Sequence, residues 1–112
     1  VTFVEKGRVG AGLIAKNVAL LGCAARTRLL RQDAVRLGPC GGAPFDLVFL
    51  DPPYNQGLGE KAIKAALDGG WVAEDAIIVW EESKSAELTI PDELTELDRR
   101  NYGDTQIVIL QR

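Results

Sequence analysis

The sequence contains no histidine and only two cysteines, and both shortages narrow the chemistry available to the protein. Without histidine there is no His-based general acid–base catalyst, no Ser-His-Asp triad and little basis for a transition-metal site. Cys23 and Cys40 are too few and too widely spaced for a zinc motif or a disulfide framework. We therefore expect no bound metal ion, and we interpret each cysteine as a small buried apolar residue.

Long apolar runs are also missing, so no segment is predicted to span a bilayer. Residues 1–6 lack the charged-then-apolar layout of a signal peptide. These observations predict a cytoplasmic protein without a membrane partner. The 112 residues, of which 46% are apolar, suit a single packed domain covering residues 1–112.

The start of the sequence is unusual, because methionine is absent from the whole chain and Val1 opens directly on a strand-like run. Natural reading frames begin with methionine, and some leader normally precedes a core strand. We therefore expect the chain to be a piece of a longer protein.

Charge is distributed unevenly along the chain. Residues 1–50 carry seven Lys/Arg against three Asp/Glu, a net charge of +4, whereas residues 51–112 carry six against thirteen, a net charge of −7. A protein that binds nucleic acid unaided normally has a clear basic excess. Any contact with a polyanion is therefore predicted to be local or to come from elsewhere. The arginines between residues 26 and 36 are interpreted as solvated side chains of an edge strand.

Apolar periodicity predicts strands that alternate with helices. Strands are expected at residues 1–4, 26–32, 45–50, 76–80, 94–100 and 106–110, and helices at residues 8–21 and 57–68. This order, closing on an antiparallel pair, predicts a three-layer α/β sheet. The strand at 45–50 is nearly all apolar, which is typical of a central parallel strand buried on both faces.

Polar residues follow three of these strands at their carboxyl ends, where open parallel sheets bind ligands. Glu5 follows the first strand, Asp33 the second, and Asp51-Pro52-Pro53-Tyr54 the third. Such alignment would be unusual in a domain with a purely structural role. The sequence therefore predicts a ligand site at this edge of the sheet.

The tetrapeptide Asp51-Pro52-Pro53-Tyr54 is the most specific of these signals. Its two prolines fix two φ angles and leave carbonyls free of competing backbone donors, while Pro52 pushes Asp51 into an extended conformation. A carboxylate, a carbonyl and an aromatic face presented together suit an exocyclic amine on a stacked base. The alternative is a strand-ending turn in which Tyr54 is only a surface anchor.

Glu5 and Asp33 each have two interpretations. Glu5 can accept both hydroxyls of a ribose, or it can be a solvated acid that favours the dipole of the following helix. Asp33 can hold an adenine amino group, with Ala34 beside the ring, or it can be the N-cap of a short helical turn.

Around the tetrapeptide the sequence resembles the bacterial 16S ribosomal RNA guanine-N2 methyltransferases, the ribosomal small subunit methyltransferase D family. That family belongs to the class I, Rossmann-like methyltransferases with an Asp-Pro-Pro-Tyr motif. The resemblance covers essentially the whole chain and rests on residues 51–59, Gly70-Trp71, Ala76–Val79, Glu81 and Lys16-Asn17.

The resemblance implies a site and a reaction. Glu5-Lys6 would lie at the ribose of S-adenosylmethionine, Asp33-Ala34 would flank its adenine, and Asp51 would adjoin both cofactor and base. Asp51 to Tyr54 would hold a flipped guanine while its N2 amine takes the methyl group, leaving S-adenosylhomocysteine. The implied partner is 16S ribosomal RNA or a small-subunit assembly intermediate.

One departure from the family is evident. The first strand and glycine-rich loop of the family have no counterpart before Glu5, and that strand would lie between residues 1–4 and 45–50. The resemblance thus implies an N-terminally truncated fold that is inactive by itself. Two alternatives remain open: an N6-adenine DNA methyltransferase, which uses the same tetrapeptide, and a catalytically silent α/β binding module.

Overall fold

The computed structural model describes residues 1–112 and contains both predicted helices and all six predicted strands. The elements are β1 (Thr2–Val4), α1 (Arg8–Leu20), β2 (Arg28–Leu30), β3 (Phe45–Leu50), α2 (Leu58–Asp68), β4 (Val72–Ser83), β5 (Thr95–Tyr102) and β6 (Thr105–Gln111). Short 3₁₀ turns occupy Ala24–Arg26 and Ala34–Arg36. The predicted α/β order is confirmed.

Two strands differ in length from the prediction. The strand expected at 26–32 is only three residues long, because its first residue belongs to the 3₁₀ turn Ala24–Arg26. The strand expected at 76–80 extends from Val72 to Ser83, because Val72 pairs with Phe45 of β3 and pairing with β6 continues through Glu81, Glu82 and Ser83. This extension brings both acidic residues into the sheet.

The strands form two separate sheets. β1 and β2 are parallel neighbours, and the larger sheet has the order β3-β4-β6-β5. Within the larger sheet, β3 runs parallel to β4, while β6 is antiparallel to both of its neighbours. The carboxyl ends of β1 and β2 therefore share one edge, and those of β3 and β4 share another.

The prediction that β3 is buried on both faces is wrong. β3 pairs with β4 along one edge and with no strand along the other. Leu47 and Phe49 are 51% and 73% exposed. Their face of β3 has no covering layer, and an uncovered edge strand cannot bury both of its faces.

One face of the larger sheet packs against α2 and forms the core. Ile78 and Trp80 have no exposed surface, and Ile63 of α2 is 1% exposed. A Cβ added to Gly59 would lie 2.5 Å from Cζ2 of Trp80. Glycine at position 59 therefore allows the first turn of α2 to approach the indole. Trp71, which stacks on Phe45 with a centroid distance of 6.2 Å, is also buried. Both tryptophans therefore belong to the buried core.

The amino-terminal layer is less tightly packed. Ala11 is the buried residue of α1, and Leu21, which directly follows the helix, is 77% exposed. Cys23 and Cys40 are free thiols that are half-buried in loops rather than buried as predicted. No helix is both long and apolar enough to cross a membrane.

Candidate functional site

The motif Asp51-Pro52-Pro53-Tyr54 leaves the carboxyl end of β3 beside the carboxyl end of β4. Leu50, the last residue of β3, pairs with Trp80, so the motif begins level with Glu81. Asp51, Pro53 and Tyr54 are exposed, and Pro52 is half-buried. The structure thus presents the motif to solvent at the strand end where the sequence predicts a ligand site.

Tyr54 is anchored through its hydroxyl. The hydroxyl donates to Oε1 of Glu81 at 3.0 Å, and it lies 2.9 Å from Oγ1 of Thr105 at the start of β6. The Thr105 contact lowers the pKa of Tyr54, but burial, the Glu81 hydrogen bond and the charges of Glu81 and Asp51 together raise the pKa above its ordinary value. Tyr54 as a whole is 38% exposed, so its anchored side chain remains accessible to solvent.

Asp51 lies in a cluster of carboxylates. Desolvation of its carboxyl, a hydrogen bond with Glu81, and the negative charges of Glu81 and Glu82 raise the pKa of Asp51 above its ordinary value. A carboxylate with a raised pKa takes up a proton more readily than an isolated aspartate does. Asp51 is therefore suited both to accept N–H hydrogen bonds and to receive a proton.

Glu82 is the residue that sequence reasoning missed. It is 1% exposed, and its Oε1 accepts hydrogen bonds from the backbone N–H groups of Asn55 at 3.0 Å and Ser83 at 2.9 Å. The signal was present in the alternation of β4, because Ala76, Ile78, Trp80 and Glu82 all lie on the buried face. A strand prediction that ended at residue 80 could not show this.

The residues predicted to bind cofactor form a second group at the carboxyl ends of β1 and β2. The backbone N–H of Glu5 continues the β1–β2 ladder by donating to the carbonyl of Leu30 at 3.0 Å. Lys6 Nζ lies 3.8 Å from Oδ2 of Asp33, so residues from both strand ends meet. Ala34 is half-buried and begins the 3₁₀ turn after Asp33.

The N-cap alternative predicted for Asp33 is present in the structure, whereas Glu5 lies near the start of α1 but is half-buried rather than solvated. Oε1 of Glu5 accepts from the N–H of Gly7 at 2.8 Å, at the start of α1. Oδ1 of Asp33 accepts from the N–H of Val35 at 3.1 Å, which is an N-cap bond. These bonds each use one oxygen, so the cofactor roles of the two acids stay predictions.

The hydrogen bonds and ion pairs described above remain within each group. Tyr54 contacts Glu81 and Thr105, and Asn55 contacts Glu82. In the second group, Glu5 bonds to Gly7 and Leu30, and Lys6 pairs with Asp33. No three His, Cys, Asp or Glu side chains are grouped so that they could hold a metal ion.

Curated proteins similar to this chain include two that share one name. The chain is 31% identical to ribosomal RNA small subunit methyltransferase D of Haemophilus influenzae over 106 residues, covering 92% of this chain and 55% of that protein. It is 34% identical to the protein of the same name from Escherichia coli K12 over 91 residues, covering 80% of this chain and 46% of that protein. The chain thus spans about half the length of these curated relatives.

Solved structures show the same similarity in three dimensions. A candidate methylase from Haemophilus influenzae superposes with a TM-score of 0.87 at 30% identity, covering 99% of this chain and 71% of that one. The N-methyltransferase NodS of Bradyrhizobium japonicum, solved with S-adenosyl-L-homocysteine, superposes with a TM-score of 0.66 at 12% identity, covering 99% of this chain and 65% of that one. The second likeness concerns the fold alone, and together they confirm the predicted Rossmann-like class I methyltransferase fold.

The family model described as "Conserved hypothetical protein 95" matches residues 1–111, almost the entire chain. This match agrees with the curated relatives and with the resemblance that the sequence around Asp51 carries. The chain therefore belongs to the conserved hypothetical protein 95 family, and it is similar to ribosomal RNA small subunit methyltransferases D.

Proposed function

We propose that this chain supplies the base-binding half of a methyltransferase that transfers a methyl group from S-adenosylmethionine to the exocyclic N2 amine of a guanine in 16S ribosomal RNA. The observation that carries the proposal is the anchored motif Asp51 to Tyr54 at the end of β3. The names of the curated relatives support ribosomal RNA as the substrate. The substrate is 16S ribosomal RNA or a small-subunit assembly intermediate, and the protein acts in the cytoplasm.

Each part of the motif has a different role in binding the base and its amine. The Asp51 carboxylate and a carbonyl of the proline turn accept the two N–H bonds of the flipped guanine, and the Tyr54 ring stacks on the base. An exocyclic aromatic amine is a poor nucleophile because its lone pair is delocalised, and holding both hydrogens favours the pyramidal form that attacks. The nitrogen–carbon bond forms as the sulfur–carbon bond breaks, and the surplus proton passes to Asp51 or to solvent.

The cofactor residues fit the chemistry of a ribose and an adenine. When bound, S-adenosylmethionine supplies an electrophilic methyl group and leaves as S-adenosylhomocysteine. A Cβ on Gly7 or Gly10 would lie 2.8 or 3.0 Å from the Glu5 carboxyl group, so glycines keep the surroundings of this acceptor open. Glu5-Lys6 would hold the ribose, and Asp33-Ala34 would flank the adenine, as acceptors at strand ends do in dinucleotide-binding folds.

We further propose that the active protein contains an additional strand beside β3. This proposal is supported by the unpaired edge of β3 and by the coverage of only about half of the curated relatives. It predicts that the 112-residue chain alone does not bind S-adenosylmethionine measurably. Calorimetric titration of the chain tests this, and micromolar binding by the isolated chain would contradict it.

The proposed function is tested on the full-length gene product with radiolabelled S-adenosylmethionine. We expect label transfer to 16S ribosomal RNA or assembly intermediates, with N2-methylguanine in the nuclease digest. Transfer to adenine N6 in duplex DNA would instead support a DNA methyltransferase, and transfer to neither substrate would support a silent module.

Two variants separate the roles of the two groups of residues. Asp51→Ala should lower kcat by at least about 100-fold while leaving the cofactor Kd nearly unchanged, because it removes a contact to the reacting amine. Glu5→Ala should instead raise the cofactor Kd by about 10-fold, the effect of losing one or two hydrogen bonds. Equal loss of both properties in the Asp51 variant would mean that Asp51 serves the cofactor or the fold.

A further inference from the structure

Glu82 is a carboxylate in a position that strand alternation gives to the core. It shares the buried face of β4 with Ile78 and Trp80 and is 1% exposed. Burial of a carboxylate is costly unless hydrogen bonds compensate it. The compensating donors are the N–H groups of Asn55 and Ser83, which both point at Oε1.

Asn55 is the residue directly after the motif, and its backbone is left-handed with φ of 60°. This conformation is uncommon for residues other than glycine and persists where the surroundings hold it. The hydrogen bond from its N–H to Glu82 is such a restraint, at the point where the chain turns from Tyr54 towards α2. The turn that ends the motif is therefore fixed from inside the sheet.

The motif is held from both faces of one strand. Glu81 accepts from the Tyr54 hydroxyl, while its neighbour Glu82 accepts from the next residue's backbone. Opposite Glu82 in β6, buried Gln106 donates to the carbonyls of Ser83 and Ala86, which fixes the chain leaving β4. The two successive carboxylates thus hold the end of the motif, Glu81 at the Tyr54 side chain and Glu82 at the backbone of the residue that follows.

We propose that Glu82 is a positioning residue of the methyl transfer, holding Asn55 and thereby the Tyr54 ring and the proline turn in the geometry that receives the base. This inference rests on the proposed function, because it assigns the anchor of the same site. Glu82 acts as a hydrogen-bond acceptor at a fixed place, so a side chain that keeps the acceptor oxygen keeps the role. An apolar side chain of similar length removes the acceptor of the Asn55 and Ser83 N–H groups, of which the Ser83 bond is buried and the Asn55 bond partly buried.

The test compares Glu82→Gln with Glu82→Met in the full-length gene product. We expect Glu82→Met to lower kcat by about 100-fold, the effect of displacing a bound group by about 1 Å, with the cofactor Kd unchanged. Glu82→Gln should stay within about threefold of the parent kcat, because its amide oxygen still accepts from Asn55. Glu87→Met is the matched control, because Glu82 and Glu87 both line an open cavity of about 260 Å³ and Glu87 is exposed. This variant should change neither kcat nor the cofactor Kd.

A second pair keeps the proposal testable should Glu82→Met fail to fold. Asn55→Gly and Asn55→Ala both lose the same exposed side chain, but glycine adopts the left-handed backbone freely and alanine does not. We expect Asn55→Ala to have the lower kcat of the two. Equal kcat values for this pair, or for Glu82→Met and the parent, would overturn the proposal.

Hydrogen exchange of the peptide covering residues 51–57 gives a readout that is independent of methyl transfer. Exchange should accelerate in Glu82→Met and remain at the parent rate in Glu82→Gln. Parental exchange in Glu82→Met would overturn the anchoring even in an active enzyme. A parent protein that transfers no methyl group, but shows the expected exchange pattern, would refute the proposed function and leave the anchor in place.

Discussion

The motif side of the molecule, Asp51 to Asn55 with Glu81, Glu82 and Thr105, differs sharply from the cofactor side, Glu5, Lys6, Asp33 and Ala34. The motif side stands on a four-stranded sheet whose central residues have no exposed surface. The cofactor side stands on two paired strands of three residues each. A polar residue follows a strand in both places, but the motif side is supported by the larger and better-packed sheet and is therefore more preorganised than the cofactor side.

The difference lies in the origin of the anchoring bonds. The motif is fixed by residues from β4 and β6 that are 27 and 51 positions away in the sequence. The side chains of Glu5 and Asp33 accept hydrogen bonds only from backbone groups two positions away, and the side-chain contact between the two strand ends is the exposed Lys6–Asp33 pair at 3.8 Å. Long-range bonds tie a site to the global fold, whereas local bonds leave it free to adapt to a ligand.

The largest effect on folding is expected at Gly59, beneath the motif side. Gly59→Ala places a Cβ 2.5 Å from the buried indole of Trp80, so the variant should lose about 1–3 kcal/mol of stability through overpacking. Gly12→Ala in α1 is the matched control, because no atom lies within 4 Å of its added Cβ. It should gain about 0.5–1 kcal/mol. Urea denaturation measures both, and equal values would abolish the contrast between the two layers.

A smaller loss is expected for Tyr54→Phe, which removes the hydroxyl shared by Glu81 and Thr105. Because the site is partly exposed, the cost should be about 0.5–1.5 kcal/mol. A double-mutant cycle with Thr105→Val, measured by denaturation, should show a positive coupling energy. Strict additivity would mean that the hydroxyl contact does not hold the motif.

The carboxylate cluster gives a pH-dependent prediction. Because the pKa of Asp51 is raised, its ionised form opposes folding, and the penalty grows as the pH rises through that raised pKa. Asp51→Asn should therefore stabilise the protein at pH 7 by less than about 1 kcal/mol, since the residue is exposed. The gain should fade as the pH falls towards 3.8, the ordinary value for aspartate.

Asp98 provides the control of opposite sign. A hydrogen bond from the Arg100 side chain, then one from the Arg99 backbone, lowers the pKa of Asp98. Its ionised form favours folding, so Asp98→Asn should destabilise the protein at pH 7 and do so less as the pH falls through the lowered pKa. Denaturation curves at pH 7 and at a pH below 3.8, the ordinary value for aspartate, check both variants, and effects of the same sign at pH 7 would contradict the electrostatic argument.

The smallest effect is expected at the cofactor side. Lys6 and Asp33 are 3.8 Å apart with side-chain exposures of 71% and 34%, so Lys6→Ala should cost at most about 0.5 kcal/mol. Thermal denaturation at low and high salt measures this cost. A loss above about 1 kcal/mol would show that the cofactor side is as firmly built as the motif side.

Much of the fold could be predicted because the governing signals are local. Apolar periodicity located both helices, and the polar residues after strands located both groups of the candidate site. The burial of β3 was mispredicted because an apolar run shows only that a strand has side chains suited to burial. It contains no information on whether a neighbouring strand or a covering layer is present. Glu82 was missed because the predicted strand ended at residue 80, which left Glu82 outside the buried alternation of β4, and because its partner Asn55 is 27 residues away in the sequence.

The exposed side of β3 has a consequence for how the chain behaves in concentrated solution. The edge of β3 that pairs with no strand has backbone donors and acceptors that are free to pair, and the exposed apolar side chains of Leu47 and Phe49 lie next to it. Proteins normally protect such edges with charges, bulges or a covering segment, because an unprotected edge can template pairing between molecules. Self-association of the 112-residue chain should therefore increase with concentration. The substitution Phe49→Lys should suppress this self-association.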